Sequence, residues 1–214
     1  MSEGHENIII YGAGGLGREI LQMARITLGR EGARILGYVD DGVEPGAVLN
    51  DYEVLGGMGY LEQFTEPVSV ILGFSAQKAK EKIFSHLRKN PNISFPNIIH
   101  PNASVSEYAS LGKGIVVASA CIISLDAVIG DCVFLNCGAM VGHDTTIGAC
   151  TSVMPLAAIS GNVTIGERCL IGVQSAIRQG VNIGSDCTVG MGSIVFNDVA
   201  NEATVLGNPA RRIV

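Results

Sequence analysis

Aliphatic residues recur at every sixth position over about a hundred residues: Ile99, Val105, Leu111, Val117, Ile123, Ile129, Leu135, Val141, Ile147, Val153, Ile159, Ile165, Ile171, Ile177, Ile183, Val189 and Val195. Four places after each stands a small or β-branched residue, among them Ala103, Cys121, Ala139, Ala157, Ser175 and Val199. Gly follows the aliphatic directly at Gly112, Gly130, Gly142, Gly148, Gly166, Gly172, Gly184 and Gly190. A period of six fits neither a helix nor an alternating strand. It predicts a coil with three flat faces, one hexad to a face, in which residues eighteen apart stack and each turn covers its neighbour's apolar surface. The aliphatic and the small residue then point inward, and the glycine permits the tight corner. No insertion interrupts the repeat, so a site on it must use faces, corners or chain ends.

Ahead of the repeat the pattern changes. Asn7–Tyr11 reads as a buried strand leading into Gly12, Gly14 and Gly17, then a helix with apolar Ile20, Leu21, Met23, Ala24 and Ile26. Arg34–Val39 reads as a second strand ending at Asp40 and Asp41, Val68–Gly73 as a third, and Ala76–Arg88 as a helix with its Lys and Glu residues outward. This is a small α/β domain of βαβ, Rossmann-like type. Pro91, Pro96 and Pro101 mark the passage into the repeat, which places the predicted domains at residues 1–95 and 96–214.

Composition narrows the picture. The chain is 47% hydrophobic with 28 Gly and no Trp, so its core is built from aliphatics in repeated layers. A net charge of −6 without a basic block argues against a nucleic-acid partner. No apolar run reaches membrane-spanning length and the N-terminus lacks the marks of a signal peptide, so a cytoplasmic protein away from membranes is expected. None of the six cysteines forms a C-x-x-C pair, and no His/carboxylate spacing suggests a metal. Reduced core residues are the expected role of those thiols.

Two constellations carry chemistry. Gly12, Gly14 and Gly17 match G-x-G-x-x-G between a strand and a helix, with the Asp40-Asp41 pair ending the next strand. Backbone amides at such a helix start can approach an anion or a sugar closely. A dinucleotide, a nucleotide or nucleotide sugar, and a purely structural turn all fit that pattern, although the domain is short for a full dinucleotide fold. In the repeat, His143-Asp144 is the one pair with a histidine. A neutral imidazole suits proton removal from an attacking amine or hydroxyl, and the carboxylate can fix its tautomer. Gly142 is expected to leave room for a ligand beside the ring. His5, His86 and His100 read as structural or incidental. With no serine in a nucleophile elbow, direct transfer from a bound donor is simpler than a covalent enzyme intermediate.

Several segments recur in order in one family: the run from Tyr11 to Gly17, Gly37-Tyr-Val-Asp-Asp, Ile99-His-Pro-Asn-Ala, the run from Leu135 to Asp144, Ser160-Gly-Asn-Val-Thr-Ile-Gly and Gly207-Asn-Pro-Ala-Arg. Across essentially its whole length the chain resembles the bacterial sugar acetyltransferases that include bacillosamine and perosamine N-acetyltransferases and sialic acid O-acetyltransferases. The resemblance implies a left-handed parallel β-helix and a homotrimer with acetyl-CoA between neighbouring β-helices. It implies a nucleotide sugar on the N-terminal domain, met by Gly14, Gly15, Leu16, Asp40, Asp41 and Gly73. It makes His143 the general base, Asp144 its orienting carboxylate and Asn136 a polar partner, and assigns Ser152, Gly161, Val173 and Met191 to acetyl-CoA. Relatives acting on nucleotide-linked amino sugars often carry His where this chain has Ser152, and some have a polar residue in place of Leu16. N-acetylation of a nucleotide-linked amino sugar is the leading expectation. O-acetylation of sialic acid or another glycan is the alternative, followed by a catalytically silent scaffold and NAD-linked redox chemistry.

Overall fold

Ile8, Ile9 and Ile10 have no exposed surface in the computed structural model, which describes residues 6–28 and 32–213. An apolar run buried on both faces is what a central parallel strand requires. These residues form β1 (Asn7–Tyr11), flanked by β2 (Arg34–Val39) and β5 (Val68–Leu72) in parallel register. The helix α1 (Gly15–Thr27) buries Ile20, Leu21, Met23 and Ala24 along one stripe. These elements, and α3 (Gln77–Leu87), stand within one or two residues of their predicted limits.

The sheet is nevertheless larger than predicted. It has six strands, because β3 (Val48–Leu49), β4 (Tyr52–Gly56) and β6 (Ile93–Ser94) extend it in the order β3-β4-β2-β1-β5-β6. β3 and β4 form a hairpin whose turn residues Asn50 and Asp51 both have positive φ, 48° and 69°. That is the mirror-image turn geometry that matches strand twist. A short helix α2 (Met58–Glu62) follows.

Two compact units result: residues up to Ser75 with Lys82–Ile98, and Ala76–Glu81 with Ile99 onward. The second unit is a parallel β-solenoid. Its strands, of two residues each apart from the three of Thr204–Leu206, stack into sheets of eight, six and five strands, the first closed by a terminal antiparallel strand at Arg211–Arg212. Register is eighteen along the coils, as in Met140↔Ala158↔Ala176↔Ile194, and shortens to sixteen at the last coil, where Thr188 pairs with Thr204 and Ile183 with Val199. The periodic aliphatic is the second residue of each strand and points inward, with Ile123, Leu135, Val141, Val153 and Ile171 all buried.

The glycines do something other than expected. None of the eight that follow an aliphatic has positive φ. A Cβ on Gly142 would lie 2.5 Å from the Gly161 nitrogen and the Ser160 carbonyl carbon, and one on Gly148 2.5 Å from the Gly166 carbonyl carbon. They are glycine because the next coil passes against them. This also corrects Gly142, whose missing side chain leaves room for backbone and not for a ligand. The corners are turned two positions later, by left-handed residues that are mostly not glycine: Ala120, Asp126, Cys132, Asp144, Cys150, Leu156, Asn162, Arg168, Gln174 and Asp186.

The three faces differ in their outward residues. Val116, Phe134 and Ser152 on the first are buried. The second presents Ile122 and Met140, 44% and 42% exposed, then Ala158, Ala176 and Ile194. The third is mostly polar, with exposed Val128, Thr146, Thr164 and Asn182. All six cysteines are free; Cys121, Cys169 and Cys187 face inward as expected, but Cys137 is exposed at a corner. Among the described residues no helix is long and apolar enough to cross a membrane.

Candidate active site

The glycine loop shows which glycines pack and which stay open. A Cβ on Gly17 would sit 1.9 Å from the Gly12 carbonyl oxygen, and one on Gly73 2.8 Å from the Gly17 Cα. Those three let β1, α1 and β5 meet. Gly14 and Gly15 have no atom within 4 Å of where a Cβ would be, so their bareness serves whatever occupies the space in front. That space is a cavity of about 410 Å³. It is lined by Gly14, Gly15, Leu16, Asp40, Asp41 and Gly73, the whole set inferred from sequence, together with Tyr11, Phe74 and Ser75. α1 begins there without a side-chain cap and with no acidic residue in its first turn. Unpaired N–H groups and the positive end of the helix dipole thus face the cavity, an arrangement that favours an anion.

The two aspartates hold this wall together. Asp40 accepts from the Ala13 and Gly42 amides, both at 2.8 Å, tying the glycine loop to the end of β2. Asp41 accepts from the Met58 amide at 2.8 Å and from the Tyr11 hydroxyl at 2.5 Å. The Tyr11 bond, then the Met58 bond, hold the Asp41 carboxyl below its ordinary value. Burial first, and then Asp41, push the Tyr11 phenol above its own. At neutral pH the pair is therefore phenol and carboxylate. Tyr11 also meets Phe74 edge-on, with centroids 6.1 Å apart. Tyr11 and Phe74 escaped the sequence reading because aromatic residues beside a glycine loop look like ordinary strand core.

In the solenoid, His143 and Gly161 occupy the same corner on successive coils, eighteen residues apart. A Cβ on Gly161 would fall 2.5 Å from His143 Nε2 and 2.6 Å from Cε1. The imidazole lies flat on bare backbone. Asp144, next in the chain, is the left-handed corner residue with φ 57°, a conformation Asp tolerates better than most residues. That turn brings Asp144 Oδ2 to 2.7 Å from His143 Nδ1. A carboxylate only accepts, so Nδ1 carries the proton and Nε2 is left as the basic nitrogen. The His143 side chain is 51% exposed.

The other inferred residues lie elsewhere. Val173 and Met191 stack with Cys137 on the corner across the apolar second face, where Asn136 Oδ1 accepts from the Cys137 amide at 2.7 Å. Within one chain Asn136 is therefore not beside His143. Ser152 is a correction. It has no exposed surface, and its hydroxyl accepts a 2.8 Å bond from Lys80 Nζ, so it offers nothing directly to a donor. Lys80 is a correction too, since it is 2% exposed where an outward lysine was expected. His86 pairs with Glu62 at 2.7 Å and His100 Nδ1 accepts from the Asn102 amide; His5 lies outside the described residues. Among the described residues no group of three or more His, Cys, Asp or Glu is placed to hold a metal.

Comparison with known proteins gives two family matches: the PglD N-terminal domain over residues 7–87, and the hexapeptide repeat of succinyl-transferase over residues 162–197. PerB from Caulobacter crescentus, solved with CoA and GDP-perosamine, is 30% identical with a TM-score of 0.87 over 97% of each chain. The acetyltransferase domain of PglB from Neisseria gonorrhoeae FA1090, solved with acetyl coenzyme A, is 27% identical with a TM-score of 0.89 over 98% of this chain and 100% of that one. WeeI from Acinetobacter baumannii AYE is 28% identical with a TM-score of 0.88 over 97% and 100%. No curated protein matches the sequence at significant similarity.

Proposed function

Since the chain belongs to the acetyltransferases that join a PglD-type N-terminal domain to hexapeptide repeats, we propose that it moves the acetyl group of acetyl-CoA onto the amine of a nucleotide-linked amino sugar, with His143 as general base. The observation that carries this reading is the His143–Asp144 pair, whose free Nε2 stands at an exposed corner. As the amine nitrogen attacks the thioester carbonyl, a C–N bond forms and His143 Nε2 takes the proton. The C–S bond then breaks, and the proton passes to the departing CoA sulfur. In this reading a backbone amide near Gly161, in the coil beneath the imidazole, binds the developing oxyanion.

For the acceptor, the uncapped start of α1 suits the diphosphate, and the wall of Tyr11, Phe74, Asp40 and Asp41 suits the nucleoside. The complexes of PerB with CoA and GDP-perosamine and of PglB with acetyl coenzyme A support this choice of substrates. We place the enzyme in the cytoplasm. The alternative, O-acetylation, rests on Ser152 standing where relatives acting on nucleotide-linked amino sugars often carry His; here that hydroxyl accepts from Lys80.

A homotrimer is part of the proposal. Residues inferred for the donor, Val173 and Met191, lie across an exposed apolar face from His143, and covering that face with a second copy brings one chain's donor corner toward another's base. Light scattering should then give three times 22.3 kDa. The deciding experiment measures thiol release from acetyl-CoA against UDP-, GDP- and TDP-amino sugars, free sialic acid and CMP-sialic acid. Turnover with an amino sugar nucleotide supports the reading; turnover confined to sialic acids overturns it.

A further inference from the structure

One column of the solenoid holds reactive groups that acetyl transfer does not use. Gly114, Cys132, Cys150, Arg168 and Asp186 occupy equivalent left-handed corners of successive coils, with φ between 55° and 67°. The Cys132 amide donates to the Lys113 carbonyl and the Cys150 amide to the Asp131 carbonyl, both at 2.8 Å, so the two cysteines lie directly one above the other. Neighbouring parallel strands are about 4.8 Å apart. That separation falls within the Cα range a disulfide spans, roughly 4.4–6.8 Å. The two thiols influence each other's titration, and both residues are buried.

Lys80 closes over this pair. Its Nζ donates to the Cys132 carbonyl at 3.0 Å, the Thr151 carbonyl at 3.2 Å and Ser152 Oγ at 2.8 Å, all neutral acceptors. No carboxylate stands within ion-pair distance of it among the described residues. The acids nearby are committed to Arg168, which binds Asp186 through two nitrogens and also pairs with Glu81 and Glu167. A buried ammonium without a counter-charge is costly. The ionisable groups acting on it from close by are the two thiols.

We propose that Cys132 and Cys150 are an oxidisable dithiol, a site at which a hydroperoxide forms a disulfide beneath Lys80. Cys150 is the attacking sulfur. Cys132 first and then Lys80 draw its thiol below the ordinary value, while Cys150 and burial push Cys132 up. Thiolate character of this kind is what makes a cysteine react with peroxide. The Cys150 thiolate attacks a peroxide oxygen; an S–O bond forms, the O–O bond breaks, and the departing hydroxide leaves as water once protonated. Cys132 sulfur then attacks the sulfenic sulfur, an S–S bond forms, the S–O bond breaks, and a second water departs with the Cys132 proton. Two thiols and one hydrogen peroxide give one disulfide and two waters.

The test is hydrogen peroxide on the full-length protein, then denaturation, thiol alkylation and peptide mass spectrometry. The tryptic peptide from Gly114 to Arg168 should become two hydrogens lighter, lose two alkylations and recover both on reduction with dithiothreitol. Cys137→Ser should keep this change, whereas Cys132→Ala and Cys150→Ser should each abolish it. Lys80→Met, of similar length, should slow disulfide formation at neutral pH by about tenfold, with Cys137 alkylation in the folded protein unaltered. Unchanged Cys132 and Cys150 in wild-type protein whose exposed Cys137 has been oxidised would overturn the proposal. So would a disulfide that persists in Cys150→Ser, or an unchanged rate in Lys80→Met.

Discussion

Gly161→Ala tests the proposed base without touching it. The added Cβ would stand 2.5 Å from His143 Nε2, 2.6 Å from Cε1 and 2.9 Å from Cδ2. Carbon and ring atoms in contact prefer roughly 3.5–4.0 Å, so the imidazole must lift by about 1 Å or rotate off Asp144. Gly161 lacks positive φ, so its backbone accepts alanine without strain. The half-exposed ring is free to give way, which keeps the cost in folding stability small. A displacement of about 1 Å at a reacting group is worth on the order of 10² in rate. Steady-state kinetics should therefore show kcat lower by about a hundredfold, with KM for the acceptor little changed and the melting temperature close to wild type. Adding Gly161→Ala to His143→Ala should cost little more, because the ring it displaces is already gone. Near-full kcat in Gly161→Ala would mean that the imidazole is not where the proton is taken. A tenfold loss in the His143→Ala background would instead assign the effect to the Gly161 amide.

Three further outcomes follow from the same geometry. His143→Ala should lower kcat on the order of 10²–10⁴, and Asp144→Asn should lose part of that rate while keeping the corner, because Asn also adopts the left-handed conformation. Burial pushes the Lys80 ammonium from 10.5 down to about 8, which corresponds to ~3 kcal/mol. Below pH 8 the lysine is charged folded or unfolded and the fold bears the full penalty. Between pH 8 and 10.5 the unfolded chain holds the extra proton, so stability rises with pH. The wild-type minus Lys80→Met difference in denaturant unfolding should climb across that window, and a flat difference would refute the burial. Tyr11→Phe should raise KM for the acceptor more than for acetyl-CoA. It should also move the Asp41 carboxyl back toward its ordinary value, so the stability that this carboxylate contributes above that value, and loses as pH falls through its depressed one, should shrink on acid titration.

The solenoid was legible because each hexad repeats one local instruction: an aliphatic inward, then a small residue inward. The residues that line the N-terminal cavity were legible because a glycine loop and an acidic pair are defined by neighbours along the chain. What escaped depends on coil-to-coil contact. The corner column uses Ala, Asp, Cys, Leu, Asn, Arg and Gln alike, so no residue type marks it, and the conspicuous glycines received its role instead. Lys80 sits in a helix whose charges look solvated, and only the stacking of Cys132, Thr151 and Ser152 around its Nζ shows otherwise. β3 and β6 escaped through brevity, being two residues each and too short to show a period.

The histidine–aspartate pair rests on a ring position and a left-handed residue after it, which the repeat supplies at every coil, and on bare backbone one coil on, which this chain supplies at Gly161. Its address is therefore transferable. One coil earlier the same column reads Leu125, then Asp126 with φ 56°. Leu125→His combined with His143→Gly would rebuild the pair about 4.8 Å along the axis. The chemistry would be intact but out of step with the bound donor. The solenoid thus fixes the height of the pair along its axis in steps of one coil, about 4.8 Å each.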